Sequence, residues 1–388
     1  MRVYLDNNAT TKMDPRVLEA MMPFLTEEFG NAFSMHLFGK ETGNAVTASR
    51  AKIAELLGIS AEELIFTSSG TEADNIAVRG VAKAYKNRGK HIITSAIEHP
   101  AIKNTFKDLE KDGYEVTFIP VDCNGVLDLA ALEGAIRPDT ILISVMHANN
   151  EVGTIEPIKE IGELAKKNRI IFHVDAVQTT GKIRFYPKEL GIDLLSFSGH
   201  KFYGPKGIGG LYIRSGVRVA RTITGGGQEK KLRPGTTNTP AVVGMAKALE
   251  LAYENMEEDN LREASLRDYF ESQIIEKIPE IVVNAKGVKR LPGTSSITFK
   301  YLEGESILLS LSYLGIAVSS GSACSSDELQ ASHVLLAMGI EPEFAHGTIR
   351  FSIGRFNTKE EIDYTIEQVI KVVEKLRMLS PLWNEFKR

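Results

Sequence analysis

The sequence predicts an α/β protein whose mostly parallel sheet is covered by helices, followed by a smaller α/β unit. Three observations predict it. Short apolar, β-branched runs alternate with longer helix-patterned stretches through the first two-thirds of the chain. The runs are continuously apolar, as strands buried on both faces must be. At 388 residues the chain is also too long for one ordinary core, so two domains are expected.

Residues 64–67, 91–94, 115–119, 141–145 and 170–174 read as strands, punctuated by Gly, Pro, Asp or Asn. Helical patterns such as 158–168 lie between them, and that alternation predicts parallel strands joined by crossover helices. Residues 194–197 and 208–213 finish the sheet. Residues 242–267 lack proline and read as one long amphipathic helix bridging the two units. Beyond it, 295–299, 317–319 and 349–353 read as strands among helices. The expected division is a large domain over 13–255 and a small one over 256–388 that includes residues 1–12.

Hydrophobic residues at 43% and charged residues at 25% are the balance of an ordinary globular protein. The 46 basic and 50 acidic residues leave a net charge of −4 with no long basic tract, which argues against nucleic acid or anionic membranes as partners. The first residues carry no apolar leader core and no apolar run reaches spanning length, so a cytoplasmic location is expected. Two cysteines, Cys123 and Cys324, exclude a disulfide framework and a zinc site built mainly on thiolates. The eight histidines contain no HExxH-type pair, and no metal site is expected.

The residues that carry chemistry begin with Lys201. It closes Ser196-Phe197-Ser198-Gly199-His200-Lys201, a loop that leaves an apolar strand and enters Gly204-Pro205-Lys206-Gly207. An amine in such a tight, small-residue setting can be desolvated, lose its proton near neutrality and condense with an aldehyde. A lysine in a Gly-rich loop can equally be a surface residue. Upstream by 201 − 175 = 26 residues, Asp175 ends a buried strand in His173-Val174-Asp175-Ala176-Val177-Gln178. It is either a helix cap or a carboxylate placed against a buried cation. Gln178 is either a solvated helix residue or a hydrogen-bonding group for a ring oxygen. A third element is Ser68-Ser69-Gly70-Thr71-Glu72-Ala73-Asp74-Asn75, which opens a helix after a strand. Free N–H groups there, with the Thr71 hydroxyl, suit a phosphate; Glu72 also fits a purely capping role. An amine, a carboxylate and a phosphate grip are together what pyridoxal 5′-phosphate (PLP) requires.

In this order on a parallel α/β pattern, these motifs resemble the class V aminotransferase group of fold-type I PLP enzymes, the aspartate aminotransferase-like fold. Further motifs make the chain similar to the cysteine desulfurases of the NifS/IscS type, from residue 3 to about residue 387. They are Tyr4-Leu5-Asp6-Asn7-Asn8-Ala9-Thr10-Thr11, Glu98-His99, Asn149-Asn150-Glu151-Val152-Gly153, Arg233-Pro234-Gly235-Thr236, Ser319-Ser320-Gly321-Ser322-Ala323-Cys324 and Ile349-Arg350-Phe351-Ser352.

The resemblance implies that Lys201 carries PLP and moves the substrate's α-proton. It implies that Asp175 pairs with the pyridine nitrogen, that Gln178 and Asn150 contact the ring oxygen, and that His99 stacks on the ring and shuttles protons. Gly70, Thr71, Ser198 and His200 would hold the phosphate. Thr236 would reach the phosphate of a neighbouring subunit, which implies a homodimer. Arg350, a planar donor suited to a carboxylate, would clamp the substrate together with Asn8. Cys324 sits among small polar residues, a setting for an exposed, reactive thiol rather than a packed one, although a lone cysteine is often merely packed. Cys123, in a turn, reads as incidental.

The implied activity is removal of sulfur from L-cysteine, giving L-alanine and a persulfide on Cys324. That sulfur would pass to an acceptor protein such as an iron–sulfur cluster scaffold, or serve tRNA thiolation. A selenocysteine lyase or a plain class V aminotransferase are the alternatives, and a catalytically silent scaffold is the alternative from another class. Two departures from the family pattern stand out. Ala32 occupies a position where members usually carry Pro, and the sequence stops at Phe386-Lys387-Arg388, without the tail members use to dock a cluster scaffold.

Overall fold

A computed structural model describes residues 1–320 and 331–387; Cys324 lies outside the described residues. Among the described residues the strands form three sheets, the largest with seven members. Leu194–Ser198, Ile171–Asp175, Thr140–Met146, His91–Ser95 and Glu115–Ile119 lie side by side in that order and run parallel. Gly209–Ile213 runs antiparallel between Leu194–Ser198 and Leu64–Thr67 at the other edge. The interior strands are buried along their length, as their unbroken apolar runs predict, while the edge strand Glu115–Ile119 is partly exposed.

Period-two geometry divides the side chains of this sheet between two cores. On one face Ile171, Leu194 and Leu211 meet Ala73, Ile76, Ala77 and Val81 of the helix Gly70–Tyr85. On the other, Phe172, Val174, Leu195 and Phe197 join Val17, Ile53, Val242 and Leu249. Those partners come from the helices Pro15–Thr26, Leu37–Leu57 and Thr239–Glu254.

The bridging helix expected over 242–267 is two helices, Thr239–Glu254 and Met256–Lys277. The break falls at Asn255, whose backbone (φ −107°, ψ 7°) leaves the helical region. Its side-chain amide donates to the Leu251 carbonyl at 2.8 Å and so ends the first helix. Glu257, Glu258 and Asp259 crowd the first turn of the next, where negative charge favours a new N-terminus. Absence of proline did not make the stretch continuous.

The remaining strands build an antiparallel sheet in the order Ser319–Ser320, Thr348–Ser352, Thr294–Phe299, Ile281–Asn284. The strand expected over 317–319 is divided between two sheets. Ile316–Ala317 pairs in parallel with Val3–Tyr4, whereas Ser319–Ser320 joins Thr348–Ser352. The chain start causes the split. Leu5 donates its N–H to Ala317 O at 2.9 Å and accepts from the N–H of Ser352 at 2.7 Å. That insertion carries residues 6–11 to the ends of the parallel strands. Among the described residues no helix is long and apolar enough to cross a membrane.

Candidate active site

Ligand sites in parallel α/β sheets form beyond the carboxyl ends of the strands. Here those ends surround a cleft of about 220 Å³. Its walls hold Gly70, Thr71, His99, Asn150, Asp175, Gln178, Ser198, His200 and Lys201. These come from five separate stretches of chain, and every expected cofactor residue except Thr236 is among them. Thr236 is exposed and does not line the cleft.

Lys201 ends the short turn Gly199–Lys201 that follows the strand Leu194–Ser198. Its Nζ donates to the backbone carbonyls of Asn8 at 2.6 Å and Ala9 at 2.8 Å. Burial, with Lys182 and Arg350 nearby, brings the amine down to about 7 from 10.5, against the opposing pull of Asp175 and Asp6. A large share of this amine is therefore neutral at physiological pH.

Asp175 ends the strand Ile171–Asp175 and is buried. One carboxylate oxygen accepts the N–H of Val177 at 2.9 Å, but residues 177–182 form turns and no helix starts there, so the helix-cap alternative does not hold and the bond closes a turn. Burial pushes the carboxyl up to about 6, with Lys201 pulling the other way. Gln178 donates to Asn8 O at 3.0 Å, while its own carbonyl oxygen is buried with no hydrogen-bond partner among the described residues. A polar ring substituent would satisfy it.

The helix Gly70–Tyr85 is capped by Ser69, whose hydroxyl accepts the N–H of Glu72 at 3.1 Å. Glu72 turns back to accept from the N–H of Ser68 and pairs with Arg233 at 3.4 Å, which supports its capping role. A Cβ on Gly70 would lie 2.6 Å from Val177 Cγ2, closer than carbon atoms can pack, so glycine keeps this wall open. Ser198 and His200 flank the same end, and His200 Nδ1 meets the Thr10 hydroxyl at 3.1 Å.

His99 caps the helix Pro100–Lys111 by accepting the N–H of Ala101 on Nδ1 at 3.1 Å. In the neutral ring that bond leaves the proton on Nε2. Burial, then Lys201 and His333, holds the ring down at about 4, so it stays neutral.

Arg350 and Asn8 stand beside the cleft rather than in its walls. The Arg350 guanidinium pairs with Asp6 at 2.7 Å and donates to Asn150 O at 2.9 Å, and its Nε is buried without a hydrogen-bond partner among the described residues. Asn8 donates to Thr294 Oγ1 at 2.9 Å and Asn150 O at 3.2 Å. The N-terminal turn thus ties the smaller sheet to Lys201, Gln178 and His200.

Sequence reasoning missed Ser69, Asp74, Met146, Ala148 and Val177 as cleft residues. Asp74 carried a usable signal, since four residues after Gly70 on a helix is the same face. Met146 and Ala148 carried none beyond following a strand.

The model of the family described as "Aminotransferase class-V" matches residues 3–365. The chain is 51% identical over 385 residues to "Cysteine desulfurase IscS" of Dictyoglomus turgidum, covering 99% of this chain and 98% of that one. Among solved structures it superposes on a "NIFS-like protein" with TM-score 0.92 and 42% identity, covering 97% and 100% of the two chains. It is also similar to "SspA in complex with cysteine", with TM-score 0.82 and 35% identity over 92% and 100%. The chain therefore belongs to the class-V aminotransferase family, within its cysteine desulfurases of the IscS/NifS type.

Proposed function

We propose that this chain is a PLP-dependent cysteine desulfurase that moves sulfur from L-cysteine onto Cys324. The observation that carries the reading is a single cleft that joins the near-neutral Lys201 amine, the Asp175 carboxylate and the glycine-led N-terminus of the helix Gly70–Tyr85. When bound, PLP supplies an aldehyde for amines and a protonated ring that draws electrons from the substrate's α-carbon. The unpartnered carbonyl of Gln178 and the room beside Gly70 fit such a group.

In this reading Lys201 holds the cofactor and moves the substrate's α-proton, which an amine near neutrality does in both directions. Asp175 holds the proton on the pyridine nitrogen. Gln178 and Asn150 face the ring oxygen. Neutral His99 covers the ring and offers its Nε2 proton. The N–H groups at Gly70 and Thr71, with Ser198 and His200, take the phosphate, and Thr236 serves a partner subunit's phosphate in a homodimer. Arg350 binds the substrate carboxylate and Asn8 fixes the turn beside it. The Cys324 thiolate then attacks the substrate sulfur. A sulfur–sulfur bond forms, the carbon–sulfur bond breaks, and its electron pair stays with the carbon skeleton, which regains a proton and leaves as alanine.

Cysteine as substrate is supported by the cysteine complex of the related SspA. The acceptor is a sulfur-carrying partner protein such as an iron–sulfur cluster scaffold, in the cytoplasm. The division into 13–255 and 256–388 with 1–12 is supported by two separate hydrophobic clusters, one around Phe172 and Val242 and one around Leu5, Phe270 and Phe351. The test is incubation of the PLP-loaded protein with L-cysteine and a reductant. Alanine and sulfide should appear in equal amounts; alanine without sulfide, or neither, rules the reading out.

A further inference from the structure

A second carboxyl group lies in the same cleft wall as Asp175. Asp74 projects from the helix Gly70–Tyr85 and is only 1% exposed. Its Oδ1 has no hydrogen-bond partner among the described residues. The basic group nearest to it is the His173 ring, whose Nε2 is 3.6 Å away. That ring is already engaged on both sides, by Ser144 Oγ at 2.8 Å and Ser196 Oγ at 2.9 Å, and burial holds it neutral at about 3. His173 and Asp175 share one face of their strand, the face that the helix Gly70–Tyr85 covers.

Two ionised carboxylates cannot share this dry wall. Asp175 has the Lys201 amine to offset its charge and a backbone N–H from Val177, whereas the Ser196 hydroxyl is all that favours an ionised Asp74 among the described residues, and burial with the charge of Asp175 outweighs it. The other groups facing the pair bring no positive charge. Glu98 is buried and itself raised to about 8, and His99 and His173 are neutral. Burial, and then the charge of Asp175, drive Asp74 well above the usual carboxylate range.

We propose that Asp74 is a positioning residue, held as a neutral carboxylic acid, whose O–H backs the Asp175 carboxylate and keeps the pair's single negative charge on Asp175. The proposal rests on the reading that Asp175 faces the ring nitrogen of PLP. A donor behind Asp175 favours its charged form, so Asp175 stays ionised to lower pH than burial alone would allow. An amide at position 74 keeps a donor of the same shape. An apolar side chain removes it.

The test compares PLP affinity of cofactor-free wild-type protein, Asp74→Asn and Asp74→Leu by absorbance titration from about pH 5 to pH 8. Protonation of Lys201 lowers affinity below about pH 7 in all three proteins alike, and the further acid limb is Asp175 taking up a proton. Wild type and Asp74→Asn should share that acid limb, and Asp74→Leu should show it about one pH unit higher. A loss of affinity in Asp74→Leu by one factor at every pH, with the limb unmoved, assigns Asp74 a merely structural role and overturns the proposal. So does a shifted limb or a loss of more than about tenfold in Asp74→Asn, which would mean the acid normally carries charge. The infrared difference spectrum of wild type minus Asp74→Asn at neutral pH should contain the carbonyl stretch of a protonated carboxyl. Its absence overturns the proposal whether or not Asp74→Leu folds. A wild-type protein that takes up no PLP removes the cofactor reading itself, a different failure from either of these.

Discussion

The side-chain amine of Lys201 is held 2.6 Å from the backbone carbonyl of Asn8, a residue 193 positions earlier in the chain. The contact brings the reactive lysine, the N-terminal turn and, through Asp6, the Arg350 guanidinium into one bonded group. Chemistry on the large sheet is thereby tied to the strand Thr348–Ser352 of the small one.

The first prediction concerns the amine's proton. Condensation with an aldehyde needs the neutral amine, and Lys201 is brought down to about 7. The rate at which cofactor-free protein develops the visible PLP band should rise with pH through about 7 and then level off. Stopped-flow absorbance measures it. A rate still climbing above about pH 9, as for an ordinary lysine, would show that the amine is not perturbed.

Arg350→Ala should raise KM for L-cysteine by about 10- to 100-fold while leaving the PLP band intact, because a hydrogen-bonded charge pair with the substrate carboxylate is lost. The guanidinium is buried and already oriented by Asp6 and Asn150, so little order has to be gained on binding. An unchanged KM would place the carboxylate clamp elsewhere.

Gly70→Ala tests the phosphate end. Its new methyl would meet Val177 Cγ2 at 2.6 Å, beside Ser198 and Gln178. Relieving that overlap costs about 1–3 kcal/mol. Equilibrium titration should show PLP affinity reduced by about tenfold or more, with circular dichroism unchanged. Unaltered affinity would mean this wall is not part of the cofactor site.

Glu98 supplies a pH-dependent stability prediction. Buried, and bonded through one oxygen to Ser95 at 2.5 Å and to the Met146 N–H at 3.0 Å, it is raised to about 8 from 4.5. A folded value above the unfolded one means that the favourable contribution is complete below the unfolded pKa and is lost as pH rises through about 8. Glu98→Gln keeps the accepting oxygen and cannot ionise. It should therefore be more stable than wild type by about 1–3 kcal/mol near pH 8, and no more stable near pH 5. Denaturant melts at the two pH values decide it; equal differences at both would show that Glu98 is not protonated in the fold.

Much of this architecture was legible because the strands are buried on both faces. The runs at 64–67 and 115–119 match their strands, and that at 170–174 differs by one residue from Ile171–Asp175. Periodicity was silent where side-chain capping decides, as at Asn255, and where a distant segment inserts, as Leu5 does beside residues 316–320. The motif residues of the site were readable because each sits just past a strand or at a helix start. Electrostatic partners were not. Nothing in the sequence aligns Asp6 with Arg350, 344 positions away, or sets Asp74 against His173.

The measurement that bears most directly on the central claim is mass spectrometry of the wild-type, PLP-loaded protein after brief treatment with L-cysteine, alongside Cys324→Ala. The peptide carrying Cys324 should gain one sulfur and that carrying the exposed Cys123 none. The variant should keep its PLP band and lose alanine formation from cysteine by about 100-fold or more, with selenium release from selenocysteine retained. Alanine production by Cys324→Ala at the wild-type rate would contradict sulfur transfer to Cys324.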